Sequence, residues 1–485
     1  MPPERTQRAT ALAVSPPCVV SLLAPLRETL PARVGIDTRG LAAVRIALGL
    51  LVLCDLALRL PDIAAFYTDA GVLPRSLLAE AYPTISQLSL YLLSGSLAWG
   101  TFLFGLTALA AVALVVGYRS RLAALVLFVL LLSLHARNLL IANAGNWLLR
   151  RLLLWCAFLP IGRRWALDAR HVAADRGRAV SIATLGVLVQ VVVVYAVNAV
   201  LKLRGDRWVE GSAVQYIYQV DSLTVGLGDL VAGTPLLSVG SHAWLALLVC
   251  SPLLVLARGH VRTLLVAALA GGHLFMFATL RLGVFPLVSV ASLLVFLPPP
   301  VWDRVERVTE PLRARLRDPA AALPTPDDWP TVPRPATQTL TAVALAFVLV
   351  WSLASIGFLT VPAAPVDPEE RRWDMFAPQP KTADSWSVPV GTTTDGQRVD
   401  VFRGGEPQFA VADSGATYPN VSWYLYLTSL PDAATLRPGF ADYLCDRWDR
   451  RHDSRLATVE LFHVTQEMYP EPSAPDRRSL GTFDC

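Results

Sequence analysis

Three polar side chains share one face of an otherwise apolar helix predicted near the middle of the chain. Tyr195, Asn198 and Lys202 are three and four residues apart in the run VLVQVVVVYAVNAVLKLRGDRWVEG. This spacing places them on the same side of an α-helix. Amide and ionisable groups are costly inside a bilayer, so they usually face a cavity or a polar partner. The face therefore predicts a pocket in which a phenol, an amide and an amine meet.

Lys202 is an unusual choice for this chain. Only two of its 42 basic residues are lysines, Lys202 and Lys381. A lysine at a helix end commonly extends its ammonium to the lipid headgroups, yet an arginine would serve that purpose equally well. The two differ because a desolvated lysine can have its pKa lowered and lose its proton, whereas a guanidinium stays charged. Two interpretations stand, a headgroup anchor and a buried base.

Other polar groups lie in or beside predicted spans. His273 follows two glycines in LLVAALAGGHLFMFATLRL, and Arg281 lies further along the same face. Either the histidine bonds a neighbouring helix that the glycines allow to pack closely, or it lines a cavity. In HARNLLIANAGNW, a capped tight turn and a polar pocket wall explain Asn143 and Asn146 equally well. No metal is expected, because the six cysteines show no spacing typical of a metal site.

The composition that surrounds these residues is that of a membrane protein. Hydrophobic residues make up 54% of the 485 residues and charged residues 16%, whereas about 25% are charged in an average soluble domain. Apolar runs of about 17 to 25 residues predict nine transmembrane helices. They cover residues 40–60, 98–117, 122–141, 147–162, 180–201, 238–257, 263–280, 283–299 and 338–361. The predicted fold class is an all-α polytopic membrane protein with a small exoplasmic α+β C-terminal domain.

Arginine placement predicts the orientation in the membrane. The N-terminal tail and alternate loops are rich in arginine, as cytoplasmic loops usually are. Nine spans then put the N-terminus in the cytoplasm and the C-terminus outside, in a multi-pass protein of the cell membrane. Lys202, Arg281, the asparagine turn and the C-terminal domain share the outer face in this arrangement. The net charge of +4 is spread over short loops, which indicates a lipid partner and no nucleic acid.

Three regions are predicted: a cytoplasmic tail over 1–35, a transmembrane domain over 36–361 and an exoplasmic soluble domain over 362–485. In the soluble domain we expect a hairpin around an Asp-Gly turn in SVPVGTTTDGQRVDVF, a helix in GFADYLCDRWDRRH and a strand in ATVELFHV. Cys445 and Cys485 both fall in this domain. A disulfide, as an oxidising compartment would allow, and two free thiols are both compatible with the sequence.

Two segments outside the spans have distinct compositions. Residues 66–95 are too broken to cross a bilayer and too apolar for a free loop, so they predict a turn and an amphipathic helix in the outer interface. Residues 319–335 are rich in proline and predict a linker.

Several motifs, taken in order, resemble the HTTM family, microbial membrane proteins related to vitamin K-dependent gamma-carboxylase. They are FYTDAGVLPR, HARNLLIANAGNWLLRRLLLWCAFLPIG, NAVLKLRGDRWVEG, GGHLFMFATLRLGVFPLVSVASLLVFLP and RWDMFAPQP. The likeness to the microbial members runs from about residue 36 to 390. The likeness to the carboxylase itself is concentrated at Lys202 and His273.

The resemblance implies a chemistry. In the carboxylase, a lysine at the end of a span deprotonates vitamin K hydroquinone, and oxygen addition yields an alkoxide that removes a glutamate γ-proton before carbon dioxide is captured. Carried over, Lys202 is the initiating base and His273 a second catalytic residue. A reduced naphthoquinone, O₂ and CO₂ are the implied co-substrates, with a polypeptide as acceptor. The candidate pocket residues are Asn198, Arg281, Asn146, Asn143 and Tyr195.

Departures from the carboxylase keep a second function open. Asn146 stands where the carboxylase has a histidine, and asparagine cannot relay a proton. The alternative to an enzyme is a non-enzymatic membrane module that binds a partner or lipid through its exoplasmic domain, because a fold hosts many functions. Transport is less favoured, since the sequence shows no pair of broken helices in corresponding positions.

Overall fold

The computed structural model describes residues 33–171, 177–315, 334–360, 374–411, 413–468 and 471–485. Most of the predicted N-terminal tail and of the predicted proline-rich linker lies outside the described residues. The described chain forms a membrane-helix domain followed by a small mixed domain.

In the described part of the chain, ten helices of nine or more residues build the membrane domain. They are α1 Thr38–Arg59, α2 Leu97–Val116, α3 Ser120–Arg137, α4 Ala144–Phe158, α5 Ile182–Leu203, α6 Leu236–Val249, α7 Gly259–Thr279, α8 Phe285–Leu293, α9 Pro299–Arg315 and α10 Arg334–Ser355. Two short antiparallel strands, β1 Ile36–Asp37 and β2 Arg178–Ala179, join the segments that precede α1 and α5. Every predicted span therefore overlaps a helix, although several of these helices are shorter than the predicted span.

The predicted count of nine spans is not confirmed. In the described part of the chain, six helices are long and apolar enough to cross a membrane, or seven if the bent pair formed by Phe285–Phe296 and Pro299–Pro311 is one span. The predicted span over α4 fails on length, because its 15 residues extend about 22 Å against a hydrocarbon core of about 30 Å. Apolar composition had suggested longer helices than the backbone forms.

Helix α5, which carries the polar face, is bounded by clear signals. Ser181 and Thr184 form a capping box at its start, each side chain accepting from the other's backbone N–H. At the other end the Arg204 N–H donates to the carbonyls of Leu201 and Lys202. Lys202 is thus in the last turn of a 22-residue helix.

The segment between α1 and α2 is more broken than the single amphipathic helix predicted. It contains the short helices Ile63–Tyr67, Arg75–Ala81 and Pro83–Ser86. Pro83 opens the last of these, since proline is tolerated at the first helical position and not in the interior.

The C-terminal domain is a four-stranded antiparallel sheet with two helices. Its strands are β3 Ala383–Thr393, β4 Arg398–Asp400, β5 Leu456–Glu467 and β6 Asp476–Asp484, in the order β4-β3-β5-β6. The helices are α11 Val421–Ser429 and α12 Arg437–Asp449. The predicted hairpin, helix and strand are confirmed. Cys445 of α12 and Cys485 after β6 are joined by a disulfide, so the alternative of two free thiols is wrong.

This domain docks on one end of the membrane helices. The Asn420 side chain donates to Asp62 at 2.6 Å, just after α1. Arg281, just after α7, donates to the carbonyl oxygen of Gly415 at 3.1 Å. The Ser222 N–H donates to the carboxylate of Asp384 on β3 at 3.2 Å. Residues far apart in sequence therefore converge at the end of the bundle that holds Lys202.

Candidate functional site

A cavity of about 930 Å³ lies at this end of the membrane domain. Its walls come from α4 to α8, from α11 and from residues 374–381, which we call the cover segment. Most lining side chains are apolar. The polar ones predicted from the sequence that line it are Asn143, Tyr195, Asn198, Lys202, His273 and Arg281. The fold thus brings six of the seven predicted catalytic and pocket residues to one space.

Lys202 is buried at the cavity wall, with 2% of its surface exposed. Its Nζ donates to the carbonyl oxygen of Met375 at 2.8 Å and lies 3.6 Å from the centroid of the Trp208 ring. Within the described part of the chain no salt bridge involves Lys202. The amine is therefore held by a carbonyl and an aromatic face, and it does not extend to the headgroups as an exposed anchor does.

The cover segment fixes this arrangement from above. Trp208 Nε1 donates to the carbonyl oxygen of Phe376 at 2.8 Å. Trp208 and Lys202 therefore bind the carbonyls of two consecutive residues of the cover segment. A Cβ on Gly205 would lie 1.8 Å from the carbonyl oxygen of Pro378. Glycine at 205 is what permits this close approach of two backbones.

His273 faces the same cavity from α7. Its Nε2 lies 3.1 Å from the hydroxyl of Tyr195, and only 1% of its surface is exposed. Its Nδ1 has no hydrogen-bond partner among the described residues. The rings of Trp244 and Phe285 meet the imidazole edge to face, with centroids 5.2 and 5.7 Å away. An unpartnered buried nitrogen on a residue that lines a cavity is a candidate for a hydrogen bond with a ligand.

Arg281 and Asn143 lie at the end of the cavity nearest the C-terminal domain. Besides its bond to Gly415, the Arg281 guanidinium has an Nε that lacks a hydrogen-bond partner within the described chain. Asn143 caps α4, accepting from the N–H groups of Gly145 and Asn146. Its predicted interpretations as a turn cap and as a cavity residue both hold.

Asn146 is placed elsewhere. Its side-chain oxygen accepts from Arg59 at 3.2 Å, and its amide nitrogen donates to Asp55 at 3.4 Å. Asp55 and Arg59 form an i,i+4 ion pair at 2.8 Å. Asn146 is buried in this charged cluster behind the cavity wall, so its prediction as a pocket residue does not match its position.

Sequence reasoning missed two groups that line the cavity. Lys381, the second lysine of the chain, lies at its rim, with Nζ 5.8 Å from the Tyr424 ring centroid. Trp244 forms part of the wall. The scarcity of lysine was a usable signal for Lys381, because both lysines face one cavity. No local pattern marks Trp244.

The described residues contain no group of three or more histidine, cysteine, aspartate or glutamate side chains arranged to hold a metal ion. The arrangement that is present combines one amine, an imidazole bonded to a phenol, and a largely apolar space. It suits an apolar ligand with a few polar atoms.

Fold and site together define a polytopic helical membrane protein with a cavity at one end of its bundle. The family model of the HTTM domain matches residues 34–302, which is more than half of the chain. The chain belongs to the HTTM family, as predicted. Comparison with curated proteins and with solved structures found no match. The cover segment and the C-terminal domain lie beyond the matched region.

Proposed function

We propose that this protein is a quinol-dependent, carboxylase-like enzyme in which Lys202 is the base. The observation that carries the proposal is the position of a buried lysine amine on the wall of an apolar cavity, in a chain that otherwise uses arginine. An amine can accept and release a proton, whereas a guanidinium effectively cannot.

A reduced naphthoquinone fits the cavity by size and chemistry. The volume of about 930 Å³ lies within the range of small-molecule sites, about 300 to 1,000 Å³. The unpartnered Nδ1 of His273 offers a hydrogen bond to a ring oxygen. Once bound, such a quinol supplies acidic hydroxyls and the reducing equivalents that activate oxygen.

Each cavity residue then has a role set by its contacts. Lys202 Nζ accepts a proton from a ligand hydroxyl, and the Met375 carbonyl and the Trp208 ring hold the resulting ammonium. Tyr195 fixes the His273 ring through the bond to Nε2, which leaves Nδ1 as the nitrogen available to a ligand. The packed rings of Trp244 and Phe285 exclude water from the imidazole.

The rim suits a water-borne acceptor. Arg281 and Lys381 place two cations beside the C-terminal domain, where an acidic polypeptide side chain would be attracted. We place the C-terminal domain outside the cell membrane and the N-terminus in the cytoplasm. The Cys445–Cys485 disulfide supports this placement, because disulfides persist in oxidising compartments.

The test measures consumption of a reduced naphthoquinone by the purified protein. Lys202→Ala is expected to lower the rate by about 10²- to 10⁴-fold, the usual contribution of a general base, and Lys202→Arg is expected not to restore it. Arg204→Lys is the matched control, because Arg204 is a cation at the end of the same helix and bonds the carbonyl of Ile356. We expect this control to keep the wild-type rate.

Two results would count against the proposal. Full activity of Lys202→Arg would return Lys202 to a structural or anchoring role. A wild-type protein that neither binds nor consumes the quinol would instead favour a non-enzymatic module that binds a partner or lipid.

A further inference from the structure

The cavity has an apolar opening between α6 and α7. Leu236, Val239 and Phe275 line it, yet they are 62%, 65% and 42% exposed. A residue that both lines a cavity and is exposed stands at its mouth. These three are hydrophobic, and α7 is one of the helices able to span a membrane. Exposed apolar side chains on such a helix suit contact with lipid acyl chains, so the mouth is suited to open toward the bilayer.

Two glycines widen this mouth. Gly240 on α6 and Gly271 on α7 both line the cavity, and a Cβ added to either would meet no atom within 4 Å. The neighbouring Gly272 differs, because a Cβ there would lie 2.6 Å from the Trp244 ring. Gly272 thus serves helix packing, whereas Gly240 and Gly271 border open space that a side chain would occupy.

A polar anchor lies directly behind the mouth. His273, two residues from Gly271, is buried and keeps Nδ1 without a partner among the described residues. The path from the lipid side therefore runs from exposed apolar side chains, past two glycines, to an imidazole and on to Lys202. A molecule that fills this path has a polar ring at one end and an apolar chain at the other.

We propose that the opening is a lateral portal, bounded by Gly240 and Gly271, through which a long-chain quinol enters from the bilayer. The end of its chain remains outside the mouth of the portal. This rests on the proposed quinol function and deepens it. The ring sits at His273 and Lys202, while the chain passes between α6 and α7. A quinol with a long isoprenoid-like chain is therefore the substrate class, in preference to a short, water-soluble one.

The experiment compares binding of a long-chain and a chain-less naphthoquinone to the full-length protein in lipid nanodiscs, by quenching of tryptophan fluorescence. Gly271→Phe fills the mouth. It is expected to lower the affinity for the long-chain ligand at least about 10-fold, because each buried methylene contributes severalfold to affinity. The chain-less ligand is expected to bind Gly271→Phe as it binds the wild type.

Two controls separate blocking from damage. Gly271→Ala leaves the mouth open and is expected to keep long-chain binding. Gly105→Phe changes an exposed glycine of α2 whose Cβ would also meet no atom within 4 Å, and it is expected to leave both ligands unaffected. An equal loss of both ligands in Gly271→Phe, or no loss of either, overturns the portal.

Failure of any quinone to bind the wild type would contradict the proposed function. A second measurement then tests the portal independently of quinone binding. Lipid whose acyl chains carry a diazirine is photolysed in the same nanodiscs. Labelling of the cavity face of α5 in the wild type, abolished by Gly271→Phe and kept in Gly105→Phe, supports a lateral opening. Absence of such labelling in the wild type overturns it.

Discussion

Two neighbouring regions of the bundle contain polar residues in apolar helices, and the fold uses them differently. In the charged cluster, Asp55, Arg59, Tyr67 and Asn146 bond one another, and the adjoining space is about 10 Å³, room for about one water molecule. In the cavity, Lys202, Tyr195 and His273 surround about 930 Å³. The first region is filled by its own side chains, and the second is left open for another molecule.

The difference shows what distinguishes a structural polar residue from a functional one inside a membrane domain. Asp55 and Arg59 satisfy each other, so their partners are already present in the chain. His273 has a buried nitrogen without a partner in the described chain. Both helices present the same kind of signal in sequence, a polar residue in an apolar run. Only the packing around that residue separates the two outcomes.

The largest effect is expected in the charged cluster. Asp55→Ala leaves Arg59 buried without its carboxylate and should lower the free energy of unfolding by about 3–5 kcal/mol. The measurement is equilibrium unfolding in mixed micelles. Asp446→Ala is the control, because its 3.8 Å pair with Arg450 is exposed and should contribute less than about 1 kcal/mol. Equal effects of the two changes would remove the distinction between packed and open polar groups.

A smaller effect is expected in the cavity, where ligand binding should change and stability should not. His273→Leu combined with Tyr195→Phe replaces both partners of this buried hydrogen bond by apolar side chains of similar size, so the free energy of unfolding should stay within about 1 kcal/mol of the wild-type value. Binding of a reduced naphthoquinone should weaken by about 3- to 10-fold, the contribution of one hydrogen bond. Isothermal titration and unfolding on the same preparation check both. A large loss of stability with unchanged binding would show that His273 is structural.

The smallest effect concerns pH at the junction with the C-terminal domain. Burial raises the pKa of Asp221 to about 6, and the carboxylates of Asp384, Asp413 and Asp229 add to the rise. The folded protein thus holds a proton that the unfolded chain loses near its ordinary pKa of 3.8, so stability should fall as pH rises from about 4 to 6.

Asp221→Asn should flatten this fall. Because the side chain is partly exposed, solvent screening limits the gain at neutral pH to less than about 1 kcal/mol. Thermal unfolding between pH 4 and 7 measures it. If the stability of Asp221→Asn depends on pH as that of the wild type does, another group is responsible for the pH response of the junction.

Much of the architecture was predictable because its signals are local. The helical period placed Tyr195, Asn198 and Lys202 on one face, and five chain segments with apolar runs became the cavity walls. The Asp-Gly turn predicted the hairpin of β3 and β4, since Gly396 adopts a φ of 88° there. The Asp55–Arg59 pair has the i,i+4 spacing at which helix side chains meet, so it too is a local feature. Family membership followed from motifs in order and is confirmed.

Other features depended on contacts between distant segments. Composition does not reveal where a helix stops, so short helices such as α4 were counted as spans. Asn143 and Asn146 are three residues apart, yet one reaches the cavity and the other reaches Asp55 on α1. Only the packing of α4 against its neighbours decides this.

By itself, the sequence determined a helical membrane protein of the HTTM family with a lysine at the end of an apolar helix. The tertiary structure decided that this lysine is buried against Met375 and Trp208, that Lys381 reaches the same cavity, and that α6 and α7 leave it open on an apolar side. The physical reason is that helical periodicity is a property of neighbouring residues. The environment of a buried amine, by contrast, also depends on distant segments, such as the one that holds Met375, 173 residues from Lys202.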